Sequence, residues 1–124
     1  MSMRVLYVDD DADIREIALL ALSLDPTLDV KTCASGAEGI VAAAEWQPHL
    51  ILLDVMMPGM DGPTTLADLR TRAESAHTPV VFITARAQSR ELERYLSLGA
   101  AGTIVKPFDP MTLAAQAKMF MVSR

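Results

Sequence analysis

Leu50-Ile51-Leu52-Leu53-Asp54 decides the fold of this chain. Four apolar residues follow one another with no polar alternate, and the run then stops on a carboxylate. A strand with one wet face alternates apolar and polar side chains. An unbroken run is what a strand covered on both faces requires, as in a parallel sheet. Val80-Val81-Phe82-Ile83, ending in Thr84, repeats the pattern. Val5-Leu6-Tyr7-Val8 ends in Asp9, Asp10 and Asp11, and Thr103-Ile104-Val105 ends in Lys106 and Pro107. Four strand-like runs therefore each finish on a polar group.

Segments of helical spacing separate these runs. Strands are expected at about 4–8, 29–33, 49–54, 79–84 and 102–105, and five helices alternate with them. The first helix, 13–24, carries Ile14, Ile17, Ala18, Ala21 and Leu22 on one stripe and stops before Asp25-Pro26, because a residue preceding proline avoids the helical region. The second, 36–46, opens at Ser35 with Glu38 three residues on, a capping box. The third starts after Asp61-Gly62, with Pro63 in a first turn that tolerates it and Leu66 and Leu69 facing inward. The fourth, about 87–98, ends at Gly99, and the fifth begins at Asp109-Pro110 and carries Leu113, Ala117 and Phe120 to the end of the chain. Strict alternation of this kind implies an α/β fold, a doubly wound (βα)5 unit with helices on both faces of a five-stranded parallel sheet. The flavodoxin-like strand order 2-1-3-4-5 is expected.

In such a sheet every strand C-terminus lies along one edge, and ligands bind there, where the strand order reverses. Asp9, Asp10, Asp54, Thr84 and Lys106 all fall on that edge. Three clustered carboxylates repel one another unless a proton or a cation intervenes. Oxygen-only ligands with room for water suit Mg²⁺, or Mn²⁺. A carboxylate can accept a phosphoryl group as an aspartyl phosphate, while an amine and a hydroxyl hold its oxygens. The inventory is that of a phosphoryl-transfer site. Asp11 is read instead as a helix-start charge favoured by the helix dipole, Asp61 as a helix cap, Trp46 and Tyr7 as packing residues, and His49 and His77 as surface residues at the opposite edge. The spacing Asp9-x-Asp11-x-Asp13 is no EF-hand, since Ile14 stands where the turn glycine is needed and Leu20 where the bidentate acid is needed.

The bulk numbers narrow the function class. A chain of 124 residues is the size of one domain, expected over 1–124. The net charge of −5, with no Lys/Arg cluster, argues against nucleic acid as a partner. No apolar run is long enough to span a membrane, and no signal-peptide anatomy precedes the first strand. The single cysteine, Cys33, fits a reducing compartment, so a cytoplasmic protein is expected.

At these residues the chain resembles the receiver domains of two-component response regulators, of the stand-alone, CheY-like kind. The matching segments are Val5 to Asp11, Leu52 to Gly62, Ile83-Thr84-Ala85-Arg86 and Val105-Lys106-Pro107-Phe108, and the likeness covers essentially all of the chain. The resemblance implies that Asp54 is the phospho-acceptor. It implies that Asp10 binds Mg²⁺ directly, Asp9 mainly through water, and Met56 through its backbone carbonyl. Thr84 and Lys106 would hold the phosphoryl oxygens, and the bond before Pro107 would be cis. One departure is Thr103, where the family usually has Tyr or Phe; the coupling of that ring to the threonine hydroxyl is thereby altered. Met56 and Arg86 flank the acceptor at positions that govern self-hydrolysis, and together they point toward a slow rate.

The implied partners are a histidine kinase or a phosphotransfer protein as donor and an unidentified output protein. Dimerisation is possible through the face formed by helix 4, strand 5 and helix 5. Since no DNA-binding module follows helix 5, output by protein contact is expected, with a receiver piece of a longer regulator as the alternative. A phosphorylation-independent interaction module with this fold is the second reading, supported by Thr103. The protein is not expected to be an enzyme acting on an external substrate. A haloacid-dehalogenase-type phosphohydrolase needs a second acid two residues after its nucleophile, and Met56 stands there.

Overall fold

The computed structural model describes residues 2–86 and 88–122. Among them, strands β1 (Met3–Val8), β2 (Leu28–Cys33), β3 (Leu50–Asp54), β4 (Val80–Thr84) and β5 (Gly102–Val105) alternate with helices α1 (Ala12–Ser23), α2 (Gly36–Trp46), α3 (Gly62–Arg70), α4 (Ser89–Ser97) and α5 (Leu113–Val122). All neighbouring strands pair in parallel, in the order β2-β1-β3-β4-β5. The expected doubly wound architecture is present.

The unbroken apolar runs lie where both faces are covered: every residue of β3 and β4 is buried. Side chains alternate between two cores. Leu6, Val8, Ile51, Leu53 and Phe82 pack with Ile40, Leu66, Leu69 and Tyr95 beneath α2, α3 and α4. Val5, Tyr7, Leu52, Val81 and Ile83 pack with Ala18, Leu22, Leu113 and Ala117 beneath α1 and α5. Full burial of one such aliphatic or aromatic side chain contributes about 1.5–3 kcal/mol. The central strands are therefore rigid, and their polar last residues are held on a fixed frame.

Three helix starts follow the sequence closely. Asp11 accepts from the amides of Asp13 (2.9 Å) and Ile14 (3.2 Å), and Asp61 from that of Thr64 (2.9 Å). Ser35 Oγ accepts from Glu38 N–H at 3.1 Å, while the Glu38 carboxylate reaches past Ser35 to Ala34 N–H at 3.0 Å. α2 then stops at Gln47, which takes a left-handed conformation at φ 50°. The loop before α3 is tight. Gly62 N–H donates to Val55 O at 2.9 Å, and a Cβ on Gly62 would lie 2.6 Å from the carbonyl oxygen of Asp54.

Other expectations are corrected. α4 begins at Ser89 rather than near 87, and its cap residue, Gln88, makes no side-chain capping bond; Ala87 lies outside the described residues. α5 begins at Leu113, because the Asp109 carboxylate takes Met111 N–H (2.9 Å) and its carbonyl takes Thr112 and Leu113 N–H (both 3.0 Å), which makes a turn of residues 110–112. The last two residues expected in that helix lie outside the described ones. Ile17 is 43% exposed, since the buried stripe of α1 is Ala18, Ala21 and Leu22. His49 is half-buried rather than at the surface: its Nδ1 accepts the Arg4 amide at 2.8 Å, and its own amide donates to Arg4 O at 2.8 Å. His77 is exposed, as expected. No helix among the described residues is long and apolar enough to cross a membrane.

Candidate functional site

The parallel register carries the five candidate side chains to one edge of the sheet. Val8 pairs with Leu53, so Asp9 follows β1 beside Asp54, the last residue of β3. Asp54 pairs with Ile83, which puts Thr84 one step farther along β4, and Thr84 pairs with Val105, which puts Lys106 one step beyond β5. The backbone continues the ladder there, with Lys106 N–H donating to Thr84 O at 2.8 Å. The Lys106–Pro107 bond is cis, as the resemblance implies.

Lys106 Nζ sits between two carboxylates, 2.9 Å from Asp9 Oδ2 and 3.2 Å from Asp54 Oδ1. Oxygen atoms of Asp9, Asp10 and Asp54 lie within 4.8 Å of one another. Asp9 is fully buried, Asp54 is 5% exposed and Asp10 is open to solvent. Burial of Asp54 and, next, repulsion from Asp9 push its carboxyl up to about 6, although the Lys106 ammonium and the Met56 amide pull the other way. Burial alone would lower the Lys106 amine, but the hydrogen bonds and charges of Asp9 and Asp54 outweigh it and the net shift is upward. One ammonium thus does not relieve three acids, and the charge balance favours a further cation.

Thr84 is almost buried, and its Oγ1 accepts the Arg86 amide at 3.0 Å, which leaves the hydroxyl hydrogen free to donate. Met56, in the loop after β3, has a side chain that is mostly exposed; its backbone amide is what bears on Asp54. Arg86 is exposed, and Thr103 lies half-buried within β5.

Tyr7 has a second part beyond the packing expected of it. It is fully buried, and its hydroxyl donates to Asp9 Oδ2 at 3.1 Å. Burial first, and then the charge on Asp9, push the phenol well above its ordinary value, so it acts only as a donor. The signal was present in the sequence: residues i and i+2 of an extended chain share a face, and Asp9, the first residue after β1, continues the face that carries Tyr7. The other oxygen, Asp9 Oδ1, accepts Asp11 N–H at 3.0 Å.

Comparison with known proteins agrees with this geometry. The family described as the response regulator receiver domain matches residues 5–118. The DNA-binding response regulator MtrA of Mycobacterium tuberculosis (strain ATCC 25618 / H37Rv) is 36% identical over 118 residues, which are 95% of this chain and 50% of that protein. The response regulator PleD of Caulobacter vibrioides (strain NA1000 / CB15N) is 39% identical over 120 residues, 95% of this chain and 26% of that one. The chain therefore spans about half the length of one of these relatives and a quarter of the other. Among solved structures, the chemotaxis response regulator CheY4 of Vibrio cholerae superposes with a TM-score of 0.89 at 30% identity, covering 97% of this chain and 99% of that chain. The signal receiver domain of the putative response regulator NarL from Mycobacterium tuberculosis gives 0.88 at 30%, covering 99% and 98%. Strand order, the acid-lined edge and the match over residues 5–118 converge, and the chain belongs to the response regulator receiver domain family of two-component signalling.

Proposed function

We propose that the chain is a phosphorylation-controlled switch in which Asp54 accepts a phosphoryl group from the phosphohistidine of a histidine kinase or phosphotransfer protein. The observation that carries this reading is the Lys106 ammonium shared between Asp9 and Asp54 at the strand edge. An Asp54 oxygen attacks phosphorus, an O–P bond forms as the N–P bond breaks, and the imidazole nitrogen leaves and takes up a proton. Lys106 and the free hydrogen of the Thr84 hydroxyl hold oxygens of the transferred group. Such transfer needs positioning and charge stabilisation more than covalent assistance.

The donor set fits Mg²⁺, with Mn²⁺ as a substitute: three hard oxygen ligands, one of them open to solvent, and an excess of negative charge. Asp10 and Asp54 would hold it directly, Asp9 mainly through water, and Met56 by its carbonyl. When bound, the ion neutralises charge on the incoming phosphoryl group. Asp9 already receives three hydrogen bonds, which supports its indirect role.

Phosphorylation adds roughly −1.5 to −2 charge, which biases the surface of α4, β5 and α5 and alters contact with an output protein or a second copy. The protein acts in the cytoplasm as one receiver unit over residues 1–124, alone or as part of a longer regulator, and turns over no external substrate. Thr103 favours a second reading, an interaction module of the same fold that ignores phosphorylation; its partner affinity would not respond to beryllofluoride. The test is incubation with Mg²⁺ and acetyl phosphate followed by intact mass. A mass gain that Asp54→Asn abolishes is expected. No gain from either acetyl phosphate or a cognate kinase refutes the acceptor role.

A further inference from the structure

Asp9 Oδ2 has two donors among the described residues, the Tyr7 hydroxyl at 3.1 Å and the Lys106 ammonium at 2.9 Å. Lys106 is also the group that must turn to a phosphoryl anion on Asp54, the acceptor reading on which this inference rests. Asp9 is fully buried, so apart from the water it would share with a bound ion no solvent replaces a donor that departs, and a buried charge short of donors is costly. We infer that the Tyr7 hydroxyl is a positioning group for Lys106: it keeps Asp9 Oδ2 paired when the ammonium swings toward an anion on Asp54.

The placement of the ring suits that task. Tyr7 packs edge-on against Phe108, with centroids 6.3 Å apart at 73°. Phe108 stands two residues after Lys106, in the same loop. The phenol is thus braced by the segment that carries the ammonium, and its hydroxyl meets the carboxylate that the ammonium shares. An aliphatic residue at position 7 would fill the core beside Leu52 and Ile83 but could donate nothing. Among the described residues Lys106 would then be the lone side-chain donor to Oδ2, and its movement would leave that oxygen without a side-chain partner.

The experiment uses Tyr7→Phe in the full chain, which keeps the ring and its contact with Phe108. Beryllofluoride serves as the phosphoryl stand-in. Its affinity at saturating Mg²⁺, and the affinity for Mg²⁺ alone, are measured by titration calorimetry, and the thermal midpoint is taken without Mg²⁺. Beryllofluoride affinity is expected to fall about tenfold, the low end for losing a hydrogen bond to a charged group. Mg²⁺ affinity should change less than about twofold and the midpoint by only a few degrees, the scale of one neutral-donor bond. In a Lys106→Gln background the same substitution should cause no further loss, since no ammonium is left to release. Unchanged beryllofluoride affinity in Tyr7→Phe overturns the inference. So does a loss that persists in the Lys106→Gln background, or a fall in midpoint of more than roughly 10 °C, which would make the hydroxyl a stabilising group only. Wild-type protein that fails to bind beryllofluoride with Mg²⁺ is a different result: it removes the acceptor reading itself, and this inference with it.

Discussion

Asp54→Asn should make the protein more stable, and only above a defined pH. The Asp54 carboxyl is raised from 3.8 to about 6 in the fold, first by burial and then by Asp9. A group with a higher pKa in the folded state binds more protons folded than unfolded, so stability is lost as pH rises through the interval between the two values. The interval here runs from about 4 to about 6. Each unit corresponds to about 1.4 kcal/mol, and the shift of about two units gives roughly 3 kcal/mol at pH 7. Asp54 is 5% exposed, so solvent screening removes little of this. Asparagine removes the charge, while Lys106 keeps Asp9 at 2.9 Å and is not stranded. Urea unfolding followed by circular dichroism, in chelator at pH 4, 5, 6 and 7, measures the gap. It should be near zero at pH 4, grow to about 2–3 kcal/mol at pH 7, and raise the midpoint by roughly 10 °C. A wild type more stable than Asp54→Asn at pH 7, or a gap equal at pH 4 and pH 7, would show that Asp54 is not an unrelieved buried charge.

The same charge imbalance predicts that Mg²⁺ stabilises the wild type, by about 2.7 kcal/mol at a hundredfold excess over its dissociation constant. Chelation should reverse the effect and Asp54→Asn should shrink it; thermal melts with and without Mg²⁺ provide the check, and equal shifts in both proteins would contradict the ligand assignment. Gly62→Ala should destabilise by roughly 1–3 kcal/mol, because its Cβ meets the Asp54 carbonyl oxygen at 2.6 Å and Val55 Cα at 2.9 Å, backbone atoms that cannot turn aside. It should also slow labelling by acetyl phosphate. An unchanged midpoint with unchanged labelling would mean that the loop shifts without cost.

Much of the fold was legible because burial leaves a direct mark on composition. Leu50–Leu53 and Val80–Ile83 are apolar on both faces because helices cover both faces of the sheet, and the alternation with helical segments is what marks them as strands of a parallel sheet. The capping residues Ser35 and Asp61 were legible because a helix start needs a short side-chain acceptor, and Asp11, legible as an acid favoured at a helix start, also caps α1 with its carboxylate. Helices whose start is not capped in that way were misplaced. α4 has no side-chain cap at Gln88, and Asp109 caps a turn rather than the helix itself. Ile17 fits the apolar stripe of α1 by spacing, yet packing chose Ala18, Ala21 and Leu22. His49 was placed at the surface because a lone histidine carries no signal of its partner, here an amide forty-five residues away.

From its order of residues alone this protein is bound to be a (βα)5 sheet with Asp9, Asp10, Asp54, Thr84 and Lys106 on one edge, since strand periodicity and strand direction follow from local pattern. Only tertiary structure decided how those groups share charge. Full burial of Asp9, the bridging position of Lys106 and the raised Asp54 depend on distances across strands that are far apart in sequence, as electrostatic energies in a low-dielectric site do. The hydroxyl of Tyr7 belongs to the same class: its identity as a packing residue was local, and its bond to a carboxylate that Lys106 shares became visible once β1 and β5 stood in one sheet.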